Sequence, residues 1–170
     1  RLVWFEKIQN KYAHSLFVAD YAVTHTVSWD DLNTKSLIFG KDYAAGGVGY
    51  TLRAPSVGSH STGSDDSARG TPQSNEWDRI LDKDSGYIKN WNWMASWGQD
   101  TRPDNSTPFR AVRGFHSARG WEFNSSSYQN GILGFRPVLE ILNTDPLISD
   151  SDRDLGDKNS NFTITYTVDD

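Results

Sequence analysis

The sequence predicts an α+β domain in which two helices sit among short strands joined by long polar loops. Three observations carry that expectation. Two stretches, around 28–39 and 71–86, combine helix-start chemistry with apolar residues at helical spacing. Several short runs alternate apolar with polar residues, clearest at 109–114 and 133–142. Between them lie segments rich in Ser, Gly and Asp that show neither period, the longest at 56–70.

Taken in order, Leu2-Val3-Trp4-Phe5 and Ser15-Leu16-Phe17-Val18-Ala19 are short apolar patches that read as strands. His14 and His25 flank the second patch. A metal site would need a third ligand at suitable spacing, and none is near, so both read as surface or turn histidines. The first helix opens at Ser28, a good N-cap, with Asp31 three residues on, where a carboxylate reaches back to the cap amide and meets the positive helix end. Asp30 and Asp31 therefore read as first-turn residues rather than a catalytic pair. Trp29, Leu32, Ser36 and Phe39 share one face, and Gly40 is placed to stop the helix.

Gly46-Gly47-Val48-Gly49 lacks both the Lys-Ser/Thr of a P-loop and the full spacing of a dinucleotide fingerprint, and reads as a turn before the strand Tyr50–Arg53, which Ala54-Pro55 ends. Segment 56–70 reads as a plain solvated loop; Asp65 and Asp66 lack the spacing of a calcium-binding loop. The second helix is capped either by Thr71, with Pro72 at its first position, or by Ser74, with Glu76 in its first turn. Trp77, Ile80 and Leu81 form its buried stripe, and Gly86 its C-terminal stop. Trp91, Trp93 and Trp97 cannot share one helix face; they read as residues knitting loops into the core, with a sugar-stacking platform as the alternative. A polar loop, 99–108, leads into Phe109–Gly114.

Between that strand and the run Leu133–Leu142 lies the segment 120–131, too polar for core and too aromatic for a linker. It reads as a loop displayed by two strands. In the second run Leu133, Phe135, Leu139 and Ile141 fall on one face, Arg136 and Glu140 on the other. After Leu142 the chain turns acidic, then alternates again at 161–168. The expected division is a domain at 1–142 and, at 143–170, an acidic linker and strand leading to further modules of the same chain.

Composition bounds the function. Only 36% of the 170 residues are hydrophobic, but seven Trp, seven Tyr and eight Phe supply core volume, each burying ~150–250 Å². Net charge is −5, and Lys and Arg are scattered singly, so no basic stripe offers itself to nucleic acid. No apolar run approaches the ~20 residues of a membrane-spanning helix, and no membrane insertion is expected. Arg1-Leu2-Val3-Trp4 reads as a start inside a longer protein. There is no cysteine, hence no disulfide, thiolate ligand or cysteine nucleophile.

Several pieces, in order, resemble the formylglycine-generating-enzyme (sulfatase-modifying factor) family. Val27-Ser28-Trp29-Asp30-Asp31 resembles its V-S-W-x-D-A helix start. Tyr50–Pro55 followed by Ser74-Asn75-Glu76-Trp77 is similar to Y-R-L-P-T-E-A-E-W, interrupted by 56–73. Trp93–Trp97 takes the place of N-V-W-E-W, Arg110–Gly114 that of R-V-L-R-G-G, and Gly134-Phe135-Arg136 that of the terminal G-F-R. The resemblance covers about 23–142. It implies a C-type-lectin-like fold, a small, twisted, mostly antiparallel sheet with two helices and long loops. The same fold carries the variable proteins of diversity-generating retroelements, whose variable residues precede the last strand, and Trp121–Asn130 is similar to such a region. The family's cysteine pair is missing here, which removes thiol oxidation and copper binding. Its calcium-binding Asn and Glu fall on Trp93 and Ser96, with Asn92 adjacent, so no cofactor is expected, a structural calcium being the alternative that the resemblance leaves open.

The resulting expectation is a non-enzymatic display domain, extracellular, on a cell or virion surface, that binds a protein or glycan on a target cell. The presented residues are Trp121, Glu122, Phe123, Asn124, Ser125, Ser126, Tyr128 and Asn130, with His116, Ser117 and Arg119 at the margin. Tyr and Trp give contact area at low entropy cost, while Ser and Asn give adaptable hydrogen bonds. Against it stand a structural module of a fibre or surface protein, with no solvent-facing aromatics at 121–130, and an enzyme built on Asp78, Glu122 or Glu140 with a histidine. Arg113 and Arg136 read as structural, tying backbone carbonyls.

Overall fold

The structure, a computed structural model, describes residues 8–9, 15–103 and 108–142. The sequence readings for 2–5, His14 and 143–170 lie outside the described residues. In chain order the elements are β1 (Ile8–Gln9), β2 (Ser15–Val18), β3 (Thr24–His25), α1 (Trp29–Thr34), β4 (Asp42–Ala45), β5 (Val48–Arg53), β6 (His60–Thr62), β7 (Arg69–Thr71), α2 (Glu76–Lys83), β8 (Ala95–Thr101), β9 (Phe109–Gly114), β10 (Trp121–Ser125), β11 (Leu133–Phe135) and β12 (Val138–Leu142). One sheet runs β1-β2-β12-β5-β4, a second β10-β9-β8-β11-β3, and β6 and β7 form a separate hairpin. Every pairing is antiparallel except β8 with β11. The class is α+β, mostly antiparallel, with two helices.

Both helices begin much as their side chains dictate. At α1 the Ser28 hydroxyl accepts from the Asp31 N–H at 3.0 Å, and the Asp31 carboxylate accepts from the Ser28 N–H at 3.2 Å, completing a capping box. The helix stops at Thr34, six residues before Gly40. Ser36 takes φ +59°, its N–H donates to Asn33 O, and the Leu37 N–H donates to Leu32 O. That bond pair closes a helix C-terminus, and it turns Ile38 into the core while Phe39 is left exposed. In α2 the cap is Asn75, one residue beyond Ser74, and Trp77, Ile80 and Leu81 are buried as expected. α2 ends at Lys83; Gly86 lies instead in a following 3₁₀ turn, its N–H held by the Asp84 carboxylate at 2.7 Å.

Segment 56–70 is not the plain loop its composition implies. Val57 is fully buried, and the Asp100 carboxylate accepts the N–H groups of Val57 and Gly58 at 2.6 and 3.0 Å. A Cβ on Gly58, which sits at φ +85°, would come within 2.6 Å of Gly70 Cα, so only glycine lets the two backbones meet. From that anchor the chain forms the β6–β7 hairpin. Gly46 and Gly47, both at positive φ, make the tight turn between β4 and β5. β4 itself is an exposed edge strand without alternation, which is why its sequence gave no strand signal.

The run 133–142 is two strands, not one. Pro137 has no N–H to give a ladder, and there the chain passes from one five-stranded sheet to the other. Arg136, read as opposite the apolar face and as tying backbone carbonyls, is fully buried. It donates to the carbonyls of Ala19 and Lys89 and to Asn90 Oδ1 at 2.6–3.0 Å, and burial pulls its pKa down to about 10. Alternation along β9 splits the core in two. Ala111 packs with Leu16, Val57, Trp77, Ile80 and Val138, and Val112 with Trp29, Leu32, Ile38 and Trp97.

Candidate functional site

The segment expected as a displayed loop contains a strand. Trp121-Glu-Phe-Asn-Ser125 alternates, and β10 pairs antiparallel with β9 from Trp121↔Arg113 to Ser125↔Phe109. Directly opposed residues share a face. Trp121, Phe123 and Ser125 therefore stand on the side of Ala111 and Arg113, and Glu122 and Asn124 on the side of Val112 and Arg110. β10 ends its sheet, so the residues proposed for display lie along an edge.

On the first side is an open groove of about 440 Å³ lined by His60, Ser61, Arg102, Pro103, Trp121 and Phe123. Trp121 is half-buried against the core, and its indole N–H donates to Gly58 O at 3.0 Å. Phe123 is 39% exposed. Its ring meets Phe109 edge-on at 5.2 Å, and the Arg102 guanidinium lies 4.2 Å from its centre. A cation over an aromatic face at that distance attracts the ring quadrupole. His60, Ser61, Arg102 and Pro103 were not among the sequence-predicted site residues. They come from chain segments far from β10, and no local pattern links them to it.

On the second side His116 Nε2 lies 4.0 Å from Glu122 Oε1, both side chains being more than half exposed. Beside them Trp93, 64% exposed, stands edge-on to Phe115 at 5.0 Å and to His116 at 6.0 Å. Trp93 and Phe115 both take positive φ, +57° and +82°, uncommon for bulky side chains. Trp93 N–H to Phe115 O and Phe115 N–H to Trp91 O hold them there. The three tryptophans do not assemble one platform. Trp97 is core, its indole N–H on Val27 O, Trp91 is partly buried, and Trp93 faces out.

Other expected contact residues serve the framework. Ser117 and Ser126 are buried, correcting their place on the presented surface. Ser126 is drawn inward because its hydroxyl donates to Asp30 at 3.0 Å and its N–H to Pro108 O. Arg119 donates to Asp82 at 2.6 Å and approaches Asp78 at 3.5 Å, so its guanidinium is engaged with α2. Hydrogen bonds from Arg69, burial notwithstanding, and from Arg119 hold the Asp82 pKa down at about 2. Asn130 shapes the next turn, donating to Tyr128 Oη and accepting the Ile132 N–H. Tyr128 is 43% exposed, Glu122 is exposed, and Asn124 and Ser125 are half-exposed.

Of the carboxylates considered for acid–base chemistry, Asp78 is wholly buried among Arg113, Asn75 and the Gly70 N–H. Glu140 pairs with Arg53. At the calcium positions suggested by resemblance, Trp93 faces solvent and Ser96 is buried. Among the described residues no group of three His, Asp or Glu side chains is arranged to hold a metal ion, and no helix is long and apolar enough to cross a membrane. Comparison of the chain with protein-family models, with curated proteins and with solved structures finds no match.

Proposed function

We propose that this chain is a ligand-binding display domain, of receptor-binding or adhesin type, on a C-type-lectin-like framework. Its contact surface is β10, the groove beside it and the turn that carries Tyr128. It acts outside the cell, on a cell or virion surface, toward a protein or glycan of a target cell. The observation that carries the reading is Phe123, presented at the wall of the groove on a strand otherwise tied into the core. Tyr128 and Trp93 add exposed aromatic area around it. Supporting the framework are the two helices, the mostly antiparallel sheets and the buried Arg113 and Arg136. A purely structural fibre module would have no reason to hold Phe123 and Tyr128 toward solvent.

Affinity in such surfaces rests on a few aromatic anchors, whose truncation costs ~2 kcal/mol or more, about thirtyfold in Kd. The test is binding of the purified chain to target-cell and glycan arrays beside the double variant Phe123→Ala/Tyr128→Ala. The expected outcome is a loss of about thirtyfold or more with the chain still folded at the assay temperature and a melting temperature lowered by no more than a few degrees. Equal binding by the double variant overturns the proposal.

A further inference from the structure

Trp93 is set into the chain differently from the tryptophans of the framework. Trp29, Trp77, Trp97 and Trp121 each donate the indole N–H to a backbone carbonyl at 2.8–3.0 Å. The Trp93 indole N–H meets no partner among the described residues, and the residue is 64% exposed. Its backbone suits another residue. At φ +57° a Cβ crowds the following carbonyl, and glycine or asparagine takes that conformation at less cost. The ring's contacts are edge-on, to Phe115 and His116, and leave most of the indole surface open. Local stability therefore gives no reason for a large aromatic at this position.

Two polar side chains stand beside the indole. The His116 ring centre is 6.0 Å from it, and Glu122 Oε1 lies 4.0 Å from His116 Nε2, too far for a hydrogen bond. Neither side chain makes a hydrogen bond among the described residues. The main chain beneath them is already paired. The Trp93 N–H donates to Phe115 O, the Phe115 N–H to Trp91 O and the Gly114 N–H to Gly120 O. A partner is thus met by side chains: an open aromatic surface, an indole donor, a carboxylate that accepts, and an imidazole that when neutral does both.

That set matches a sugar ring. A pyranose carries C–H bonds, polarised by neighbouring oxygens, on its flat faces, and hydroxyls around its rim. The C–H face complements the negative face of an indole. The hydroxyls, each donor and acceptor, complement Glu122, His116 and the indole N–H. A stable protein partner would need ~800 Å² of contact on each side, which three side chains do not supply.

We propose that Trp93, His116 and Glu122 form a saccharide subsite for a β-linked, gluco-configured pyranose, whose equatorial hydroxyls leave its C–H faces free to lie on Trp93. The subsite rests on the reading of β10 as a contact surface and names a glycan as what its Glu122 side takes.

The probe is cellobiose, titrated into the full isotope-labelled chain by NMR. Expected is a saturable shift of the Trp93 indole N–H. Trp93→Ala and Glu122→Ala each weaken binding about tenfold or more, the loss of one aromatic anchor or one charge-assisted hydrogen bond. Sorbitol, an open-chain polyol with hydroxyls but no rigid C–H face, gives no saturable shift. Trp93→Gly loses binding while its melting temperature holds or rises, because glycine takes the left-handed conformation without strain.

No saturable shift with cellobiose, or the same shift with sorbitol, overturns the subsite. So does unchanged cellobiose affinity in Glu122→Ala, and so does unfolding of Trp93→Gly, which would make the indole a framework residue. Loss of binding to a target-cell protein in Trp93→Ala, without any cellobiose binding by the wild-type chain, would make a protein the occupant and also overturns it. If cellobiose fails while array binding still depends on Phe123 and Tyr128, the subsite falls and the display reading stands. If cellobiose binds as expected while array binding ignores Phe123 and Tyr128, the subsite stands and the groove-side anchors fall.

Discussion

Arg113 is a fully buried cation whose partners are all in reach. Its guanidinium donates to Asp78 at 2.7 Å and to the carbonyls of Val57, Gly120 and Arg119 at 3.0–3.2 Å. Burial depresses its pKa, and the hydrogen bonds and charge of Asp78 oppose that. Removing one member of such a pair strands a buried charge and costs ~3–5 kcal/mol, more than the pair itself contributes. Arg113→Ala is therefore expected to lower stability by about that amount in urea unfolding. Phe123→Ala, at a partly exposed site, should lose about 1 kcal/mol or less, in line with surface substitutions. Binding should rank them the other way when measured at a temperature where both variants stay folded. A stable Arg113→Ala that has lost binding would contradict the structural role.

At the scale of elements, the caps are the clearest link from residue type to structure. Ser28→Ala removes a hydroxyl that satisfies one helix amide, and is expected to cost about 1 kcal/mol. Ser36 occupies the left-handed region that closes α1, where a Cβ is disfavoured. Ser36→Gly is therefore expected to gain up to about 1 kcal/mol. Opposite shifts in urea midpoint check both; equal shifts would mean that the two ends of α1 do not limit stability. The helix starts and the Trp77-Ile80-Leu81 stripe were legible because their causes lie within one or two turns of chain. The end of α1 was not, because the left-handed residue that closes the helix is Ser36, while Gly40, also at positive φ, lies beyond the helix end. The β6–β7 hairpin was hidden because its anchor, Val57 beneath the Asp100 carboxylate, depends on a residue 43 positions away. The site divides similarly. Phe123 and Tyr128 were readable from composition, whereas the groove wall of His60 and Arg102 exists only once distant segments meet.

At the scale of the whole molecule, one carboxylate ties two distant parts of the chain to the same helix. Asp82, near the end of α2, accepts from Arg69 on β7 at 2.6 and 2.8 Å and from Arg119, just before β10, at 2.6 Å. The hairpin carrying His60 and the approach to Phe123 are thus fixed to a common point. Hydrogen bonds from Arg69 lead the effects that bring the Asp82 pKa from 3.8 to about 2. Because the folded value lies below the unfolded one, the folded state binds fewer protons between them. The stabilisation is complete above the unfolded pKa and is lost as pH falls through about 2. The pair is partly exposed, so the effect is discounted by solvent screening. The expected measurement is unfolding free energy against pH. The wild-type chain should lose stability from about pH 4 downward, while Asp82→Asn starts lower and loses less over that window. Identical acid limbs for the two proteins would show that Asp82 does not couple the hairpin and the β10 approach to α2. A shallower limb for Asp82→Asn, together with faster amide exchange at Gly58 and Glu122, would place that coupling beside the groove.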